Sequence, residues 1–303
     1  MKLATFRRAP DQAARLGAVD GDTIIDVERL GAAASVSLPR AMLDFIDLGR
    51  DALEATAELL GDASAAHAVG VRSRLADVEL LAPIPRPRKN VWGIGLNYVA
   101  HIDESARSLD TSAEMPTQPV IFTKPPSSVI GPGHPIEHNG RITQQLDWEV
   151  ELGVVINGRG KGVTADDARS YVFGYTVRID VSARDARRAG QWIVSKGQDT
   201  YCPLGPWIVT ADEISDPHDL DLSLTKNGEG MQDSNTKHMY FQIPALISDI
   251  SQGMTIDPGD IIATGTPEGV GAGREPQEWM WPGDVITATI EGIGSITHPV
   301  VRV

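Results

Sequence analysis

Apolar and polar positions alternate over Lys2 to Phe6 and again over Ala18 to Val27, with Asp20-Gly21-Asp22 between Val19 and Ile24. Period-two alternation interrupted by an acidic glycine turn predicts a β-hairpin. Helical spacing replaces it at Ala41 to Asp47 and at Asp51 to Leu60, the second stopped by Gly61. Leu81-Ala-Pro-Ile-Pro-Arg-Pro-Arg88 then carries three prolines, which block helix and favour an extended connector. A boundary placed there divides the chain into a small N-terminal α/β domain, residues 1–80, with no titratable cluster, and a larger domain, residues 81–303.

Past the connector, short apolar runs separated by Gly, Pro and Asp turns predict a core that is predominantly β with few helices, an α+β chain overall. Val91 to Leu96 reads as a buried strand whose Gly93 and Gly95 permit close approach, and Asn97 is placed to cap a helix from Tyr98 to about Arg107. Pro119 to Pro135 is a strand and a proline-rich loop, Asn157-Gly158 a turn, and Thr164 with Asp167 a capping box ahead of strand alternation from Tyr171 to Ile179. An apolar strand is expected just before Lys196. Asp219 to Lys226 and Met231 to Asn235 form a hairpin around Asn227-Gly228, and a helix opens at Pro244, runs through Ile250 and closes at Gly253. Asp260 to Gly271 is a strand running into a glycine-rich loop, and Asp284 to Ile290 is read as the last strand.

Charge narrows the range of partners. The chain of 303 residues has a formal net charge of -14 and a pI near 4.9, so a nucleic-acid backbone or an anionic membrane is repelled overall. No apolar run approaches the roughly 20 residues of a membrane helix, and the N-terminus lacks the long apolar stretch of a signal peptide. A cytoplasmic location is therefore expected, without nucleic-acid or membrane partners. Cys202, the single cysteine, excludes an intramolecular disulfide and is expected to be a buried structural thiol. Only a local cluster, Arg184, Arg187, Arg188 and Lys196, could hold an anion.

The candidate chemistry starts at Leu146-Asp-Trp-Glu-Val-Glu151, at the mouth of an apolar run. Extended chain points Glu149 and Glu151 to one face with Asp147 in line. Carboxylates held that close repel one another unless a cation lies between them, and a divalent ion with oxygen ligands, Mg2+, Mn2+ or Ca2+, meets the need. A solvated strand edge would suit Glu-x-Glu as well. Asp180, at the end of the following strand, is the candidate third ligand, which would leave positions on the ion for water and substrate. His101 and Glu104 share a helix face, as a general base and its orienting carboxylate would, and as a surface pair would too. Lys196 follows an acid-free run and is read as an ammonium aimed inward. Lys124 suits a buried carboxylate, an anionic ligand or a snorkelling position at the surface. Thr264 and Thr266 lie in the glycine-rich loop, which matches neither a Walker loop nor a dinucleotide fingerprint.

These pieces agree in order with one family. Gly95-Leu-Asn-Tyr98 followed by His101 and Glu104, Phe122-Thr-Lys-Pro-Pro126, Asp147-Trp-Glu-Val-Glu-Leu-Gly-Val-Val155, Asp180-Val-Ser-Ala-Arg-Asp185, Lys196, Asp199-Thr-Tyr-Cys-Pro-Leu-Gly-Pro206, Asp233-Ser-Asn-Thr236 and Thr264-Gly-Thr-Pro267 resemble the fumarylacetoacetate hydrolase superfamily, in its bacterial acylpyruvate or fumarylpyruvate branch, over about residues 83 to 303. The resemblance implies a mixed β-sandwich roll and a homodimer. It implies Mg2+ or Mn2+ on Glu149, Glu151 and Asp180, beside which Ca2+ stays possible, and it leaves Asp147 either just behind the ligands or in a purely structural role. By the same resemblance His101 and Glu104 form an acid-base dyad on a mobile lid helix, Lys196 faces the substrate as the third catalytic group, and Arg184 and Thr266 help to hold it.

Arg187 stands where relatives carry Gln and Gln198 where many carry Phe. With Lys124 these are assigned to substrate binding, and Arg187 and Gln198 suggest a more polar or more anionic tail than a simple acylpyruvate has. The activity implied is metal-dependent hydrolysis of the carbon-carbon bond of a 2,4-dioxo acid through a metal-bound pyruvate enolate. A 2-hydroxydienedioate isomerase or 2-oxo acid decarboxylase ranks second and a ureidoglycolate lyase third. A non-catalytic Ca2+ module is the reading from another class, and the acid-base pair and the lysine oppose it.

Overall fold

Val150–Ile156 and Val172–Ile179 lie at the centre of the molecule. Every residue of both strands is buried, and they pair antiparallel from Val150 opposite Ile179 to Ile156 opposite Val172. Near-continuous apolar runs of this kind suit strands that are covered on both faces. The computed structural model describes residues 1–10, 12–108, 114–188 and 190–303. In it the pair belongs to a twelve-stranded sheet whose main row runs Arg72–Arg74, Thr23–Asp26, Arg15–Asp20, Lys2–Arg7, Cys202–Thr210, Val172–Ile179, Val150–Ile156, Ile261–Ala263, Val91–Gly95 and Val120–Lys124. A five-stranded sheet, Glu229–Asn235, Asp221–Lys226, Val285–Ile290, Gly294–Arg302 and Ile136–His138, packs on it.

Alternation along the central strand separates two apolar layers. Leu152, Val154 and Ile156 join Leu222, Leu224, Ile286 and Ile296 of the smaller sheet. Val155 joins Phe45, Ile46 and Leu30 of the N-terminal helices. Ile261–Ala263 runs parallel to Val91–Gly95 while its pairing with Val150–Ile156 is antiparallel, so the large sheet is mixed. The architecture is the mainly β, mixed sandwich that the sequence predicts.

The N-terminal hairpin forms with Val19 opposite Ile24, and Gly21 at φ 57 makes the turn. Its first strand, Lys2–Arg7, also pairs with Cys202–Thr210, so the large sheet runs continuously across the proline connector. The helices Met42–Leu48 and Arg50–Gly61 occur as read. A further helix, Val27–Ala33, begins where strand alternation was read, with the Asp26 carboxylate accepting from the Arg29 amide.

Three other local readings change. The run before Lys196 is a single helical turn, Ile193–Lys196, rather than a strand. Asn97 does not cap the helix that follows it: its amide group donates to the carbonyls of Phe241 and Thr264 and accepts from the Phe241 amide. Ile290 does not end the sheet, because Gly294–Arg302 turns back against Val285–Ile290. Among the described residues no helix is long and apolar enough to cross a membrane.

Candidate functional site

The register of the two central strands builds the site. Glu151 is the cross-strand partner of Arg178, and the Asp180 amide donates to the Glu149 carbonyl at 2.8 Å, one step further along the ladder. Cross-strand partners, and residues two apart on one strand, share a face. Glu149, Glu151, Arg178 and Asp180 therefore form a buried square of side chains. Ligand atoms of the three carboxylates lie within 4.8 Å of one another.

Three further cations, Lys124, Lys196 and Arg184, surround this square, and Arg178 is part of it. Lys124 is fully buried, with its ammonium on Asp180 Oδ1 and the Val181 carbonyl. Lys196 donates to Glu149 Oε2 at 3.0 Å, to Asp180 Oδ2 at 2.7 Å and to Ser182 Oγ at 2.8 Å. Arg184 bridges Asp147 and Glu149, at 2.7 Å each. Arg178 contacts Glu151 Oε2, and its Nη2 lies 3.3 Å from Asp180 Oδ1. Asp147 accepts hydrogen bonds elsewhere, from Arg184 and from the amides of Gly271 and Ala272.

Burial and charge oppose each other here. Burial drives the Asp180 carboxyl upward, but Lys124, Lys196 and Arg178 together hold it well below the usual carboxylate range. Glu149 is likewise held low, by Lys196 and Arg184 against its own desolvation. The Lys124 ammonium is pushed down to about 8 by burial, with Asp180 resisting. Asp147 is raised, because desolvation there outweighs Arg184.

A cleft opens on one side of the square, lined by His101, Ser105, Glu149, Ser182, Arg184, Arg187, Trp192, Lys196 and Thr266 together with Ile94, Gly95 and Leu96. Of the three clustered carboxylates only Glu149 reaches it. His101 Nδ1 is 3.0 Å from Glu104 Oε2, and Ser105 Oγ is 3.3 Å from Nε2. Both dyad residues are buried because the helix Val99–Ser108 rests on the glycine-rich loop, where the Gly269 amide donates to Glu104 Oε1 at 3.0 Å. Leu96, at φ 55, turns the chain from strand Val91–Gly95 toward that helix. Arg187 is exposed at the cleft and stacks over Trp192 at 4.9 Å, and burial with repulsion from Arg184 lowers its pKa. Lys196 lies over Phe122 at 4.9 Å. A Cβ on Gly93 would meet the Phe122 ring at 2.3 Å and one on Gly95 the Trp192 ring at 2.8 Å, so those glycines admit aromatic rings.

Most of the predicted residues come together. Glu149, Glu151 and Asp180 cluster, and His101, Lys196, Arg184, Arg187 and Thr266 line the cleft with Glu104 behind His101. Lys124 and Gln198 are not brought to the cleft: Lys124 is spent on Asp180, and the Gln198 amide donates to the Val194 carbonyl. Thr266 Oγ1 accepts from Gln232, which also donates to the Pro267 carbonyl. Arg178 and Gln232 carried no sequence assignment. Arg178 had a signal, since it lies two residues before Asp180 on a strand and must share its face.

The model of the fumarylacetoacetate (FAA) hydrolase C-terminal family matches residues 90–301. The chain belongs to the fumarylacetoacetate hydrolase family. A mitochondrial oxaloacetate tautomerase of Xenopus laevis is 41% identical over 99% of this chain and 90% of its own. An oxaloacetate tautomerase of Bacillus subtilis is 42% identical over 75% of this chain and 74% of its own. Among solved structures, maleylpyruvate hydrolase from Sphingobium sp. SYK-6, in complex with manganese (II) ion and pyruvate, superposes with a TM-score of 0.79 at 32% identity. That match covers 100% of this chain and 99% of the other.

A hard divalent cation fits the donor set of this family member. The cluster offers oxygen only, as Mg2+ or Mn2+ requires, and neither oxygen of the fully buried Glu151 carboxylate has a hydrogen-bond partner. The group most in the way is the Arg178 guanidinium.

Proposed function

We propose that this family member interconverts the keto and enol forms of a short 2-oxo dicarboxylic acid, of which oxaloacetate is the simplest. The observation that carries the reading is the composition of one cleft: an imidazole oriented by a carboxylate, an ammonium and two guanidinium groups surround the single clustered carboxylate that reaches it. Arg184 is committed to Asp147 and Glu149, so Arg187, stacked on Trp192 at the exposed end, is the residue assigned to the distal carboxylate.

Held by Glu149, Glu151 and Asp180, a divalent cation would polarise the 2-oxo group and make the protons on the adjacent carbon more acidic. The chain's own groups then handle the proton. With Glu104 accepting the Nδ1 proton, His101 keeps a basic Nε2, to which Ser105 Oγ can donate from 3.3 Å. Nε2 takes a proton from C3, the C–H electron pair becomes the C2–C3 double bond, and the 2-oxo oxygen takes a proton from the Lys196 ammonium, which is restored from the imidazolium through solvent; ketonisation runs the same steps backward. Lys196 places positive charge beside Glu149 and steadies the oxygen as its charge grows.

A second reading, hydrolysis of the carbon-carbon bond of a 2,4-dioxo acid, has the likeness to maleylpyruvate hydrolase in its favour. It uses the same dyad to take a proton from water instead of carbon. The two separate in one experiment: the ultraviolet band of enol-oxaloacetate is followed with enzyme and Mn2+, and an acylpyruvate is incubated in parallel and assayed for pyruvate. Faster loss of the enol band with no pyruvate released is the expected result. Buffer-rate ketonisation together with pyruvate release would replace the tautomerase reading with the hydrolase one. Arg187→Ala should raise KM for oxaloacetate about 10- to 100-fold with a smaller change in kcat, the span of one charge-assisted contact.

A further inference from the structure

Counted by formal charge, the buried cluster is balanced. Asp147, Glu149, Glu151 and Asp180 contribute four negative charges, and Lys124, Arg178, Arg184 and Lys196 contribute four positive ones, all within one network of ion pairs. A divalent ion entering it meets a site whose charge is already balanced, whereas strong cation sites keep a surplus of carboxylate. Three of the four cations are held by oxygen acceptors outside the three clustered carboxylates, although Arg184 Nη2, which faces Glu149, has no hydrogen bond of its own. Lys124 bonds to the Val181 carbonyl, Lys196 to Ser182, and Arg184 Nε to Asp147.

Arg178 differs. Its side chain is completely buried, yet Nη1 and Nη2 have no hydrogen-bond partner, and its one hydrogen bond runs from Nε to Cys202 Sγ at 3.4 Å. Those two Nη atoms are the ones that meet Glu151 and Asp180, two of the three clustered carboxylates. Glu151 mirrors this, having an ion pair and no hydrogen bond. Guanidinium and carboxylate thus face each other at the atoms an oxygen-ligated cation would use.

We propose that Arg178 is a built-in competitor for the divalent cation: its guanidinium serves as counter-ion to Glu151 and Asp180 and sets the affinity of the site for metal. This rests on the metal reading of the cluster. Removing the guanidinium leaves buried carboxylates short of positive charge, so the same change that destabilises the free protein strengthens ion binding.

The test is Mn2+ titration, read by the loss of the free-ion electron paramagnetic resonance signal and by calorimetry, on the wild type, Arg178→Met and Arg178→Lys. Arg178→Met should bind Mn2+ at least ten-fold more tightly than the wild type, with Arg178→Lys in between. Saturating Mn2+ should raise the Tm of Arg178→Met by more than that of the wild type. Equal or weaker affinity in a folded Arg178→Met, beside clear binding by the wild type, overturns the competitor role alone. If Arg178→Met does not fold, the decision passes to Arg178→Lys: unchanged or weaker affinity there overturns the role, and a several-fold gain supports it. No Mn2+ binding by any of the three overturns the metal reading and this inference with it.

Discussion

Gly273→Ala tests whether the dyad depends on its helix resting on the glycine-rich loop. Gly273 does not have a left-handed backbone, so alanine adds one methyl group and no strain. That Cβ would lie 2.1 Å from Glu104 Cδ and Oε1 and 2.3 Å from Cγ. An ordinary contact needs about 3.4 Å or more, so the Glu104 carboxyl has to retreat by roughly 1 Å. It is the end of a flexible side chain, and the fold absorbs the change for about 1 kcal/mol, the worth of the Gly269 hydrogen bond it gives up. The chemistry does not absorb it, because the same movement breaks the 3.0 Å contact with His101 Nδ1 that orients the base. Misplacement on this scale costs about 10²-fold in rate. The enol-oxaloacetate assay should therefore show kcat down about 100-fold, with Mn2+ affinity unchanged, since Glu149, Glu151 and Asp180 lie on or next to the two central strands. A kcat within three-fold of the wild type would refute the reasoning, and so would a parallel loss of Mn2+ binding.

Asn97→Ala should destabilise the protein by about 2–4 kcal/mol, because bonds of 3.0 and 2.7 Å to the carbonyls of Phe241 and Thr264 and of 2.8 Å from the Phe241 amide are lost in a buried place. Urea unfolding measures it, and a loss below about 0.5 kcal/mol would mean that water replaces the amide. His298, buried in Gly294–Arg302 with Nδ1 2.8 Å from the His134 carbonyl, is pushed down to about 4 by burial. The unfolded chain takes up that proton near the ordinary value of 6.5, so the stability is complete above that pH and is lost as pH falls through about 4. The shift amounts to about 3 kcal/mol. Stability of His298→Gln measured from pH 7 to 4 should lack that part of the slope, and identical slopes in the two proteins would assign it to other groups.

Where a feature follows from the local period of the chain, it was legible in the sequence. Period-two alternation places Glu149 and Glu151 on one face, helical spacing brings His101 to Glu104, and Asn227-Gly228 sits in a hairpin with φ 54 and 83. Arg178 lies equally within reach of the alternation rule, two residues before Asp180 on the same strand face. Other features had no local signal. The partners of Asn97 lie 144 and 167 residues away, so a local capping preference pointed to the wrong bond. Ile193–Lys196 spans four residues, too few for periodicity to separate helix from strand. Gly294–Arg302 does alternate, with Ile296, His298 and Val300 buried between exposed neighbours, but glycines 292 and 294 interrupt the run from Ile290 and concealed it.

The site has a floor and a cover with different mechanical footing. Glu149, Glu151, Arg178 and Asp180 belong to strands whose register is fixed by pairing on both sides and by apolar layers on both faces, so moving one would mean unpairing the centre of the sheet. His101 and Glu104 are carried by a helix of ten residues that buries Ile102 and Ser105, follows Asn97 and meets the glycine-rich loop where the Gly269 amide donates to Glu104. On the proposed function, a change beneath this helix would reach the groups assigned to proton transfer and leave the carboxylate cluster in place. On this division, substitutions beneath the helix change turnover and those between the central strands change metal affinity, so Gly273→Ala and Arg178→Met should each alter one of these quantities and spare the other.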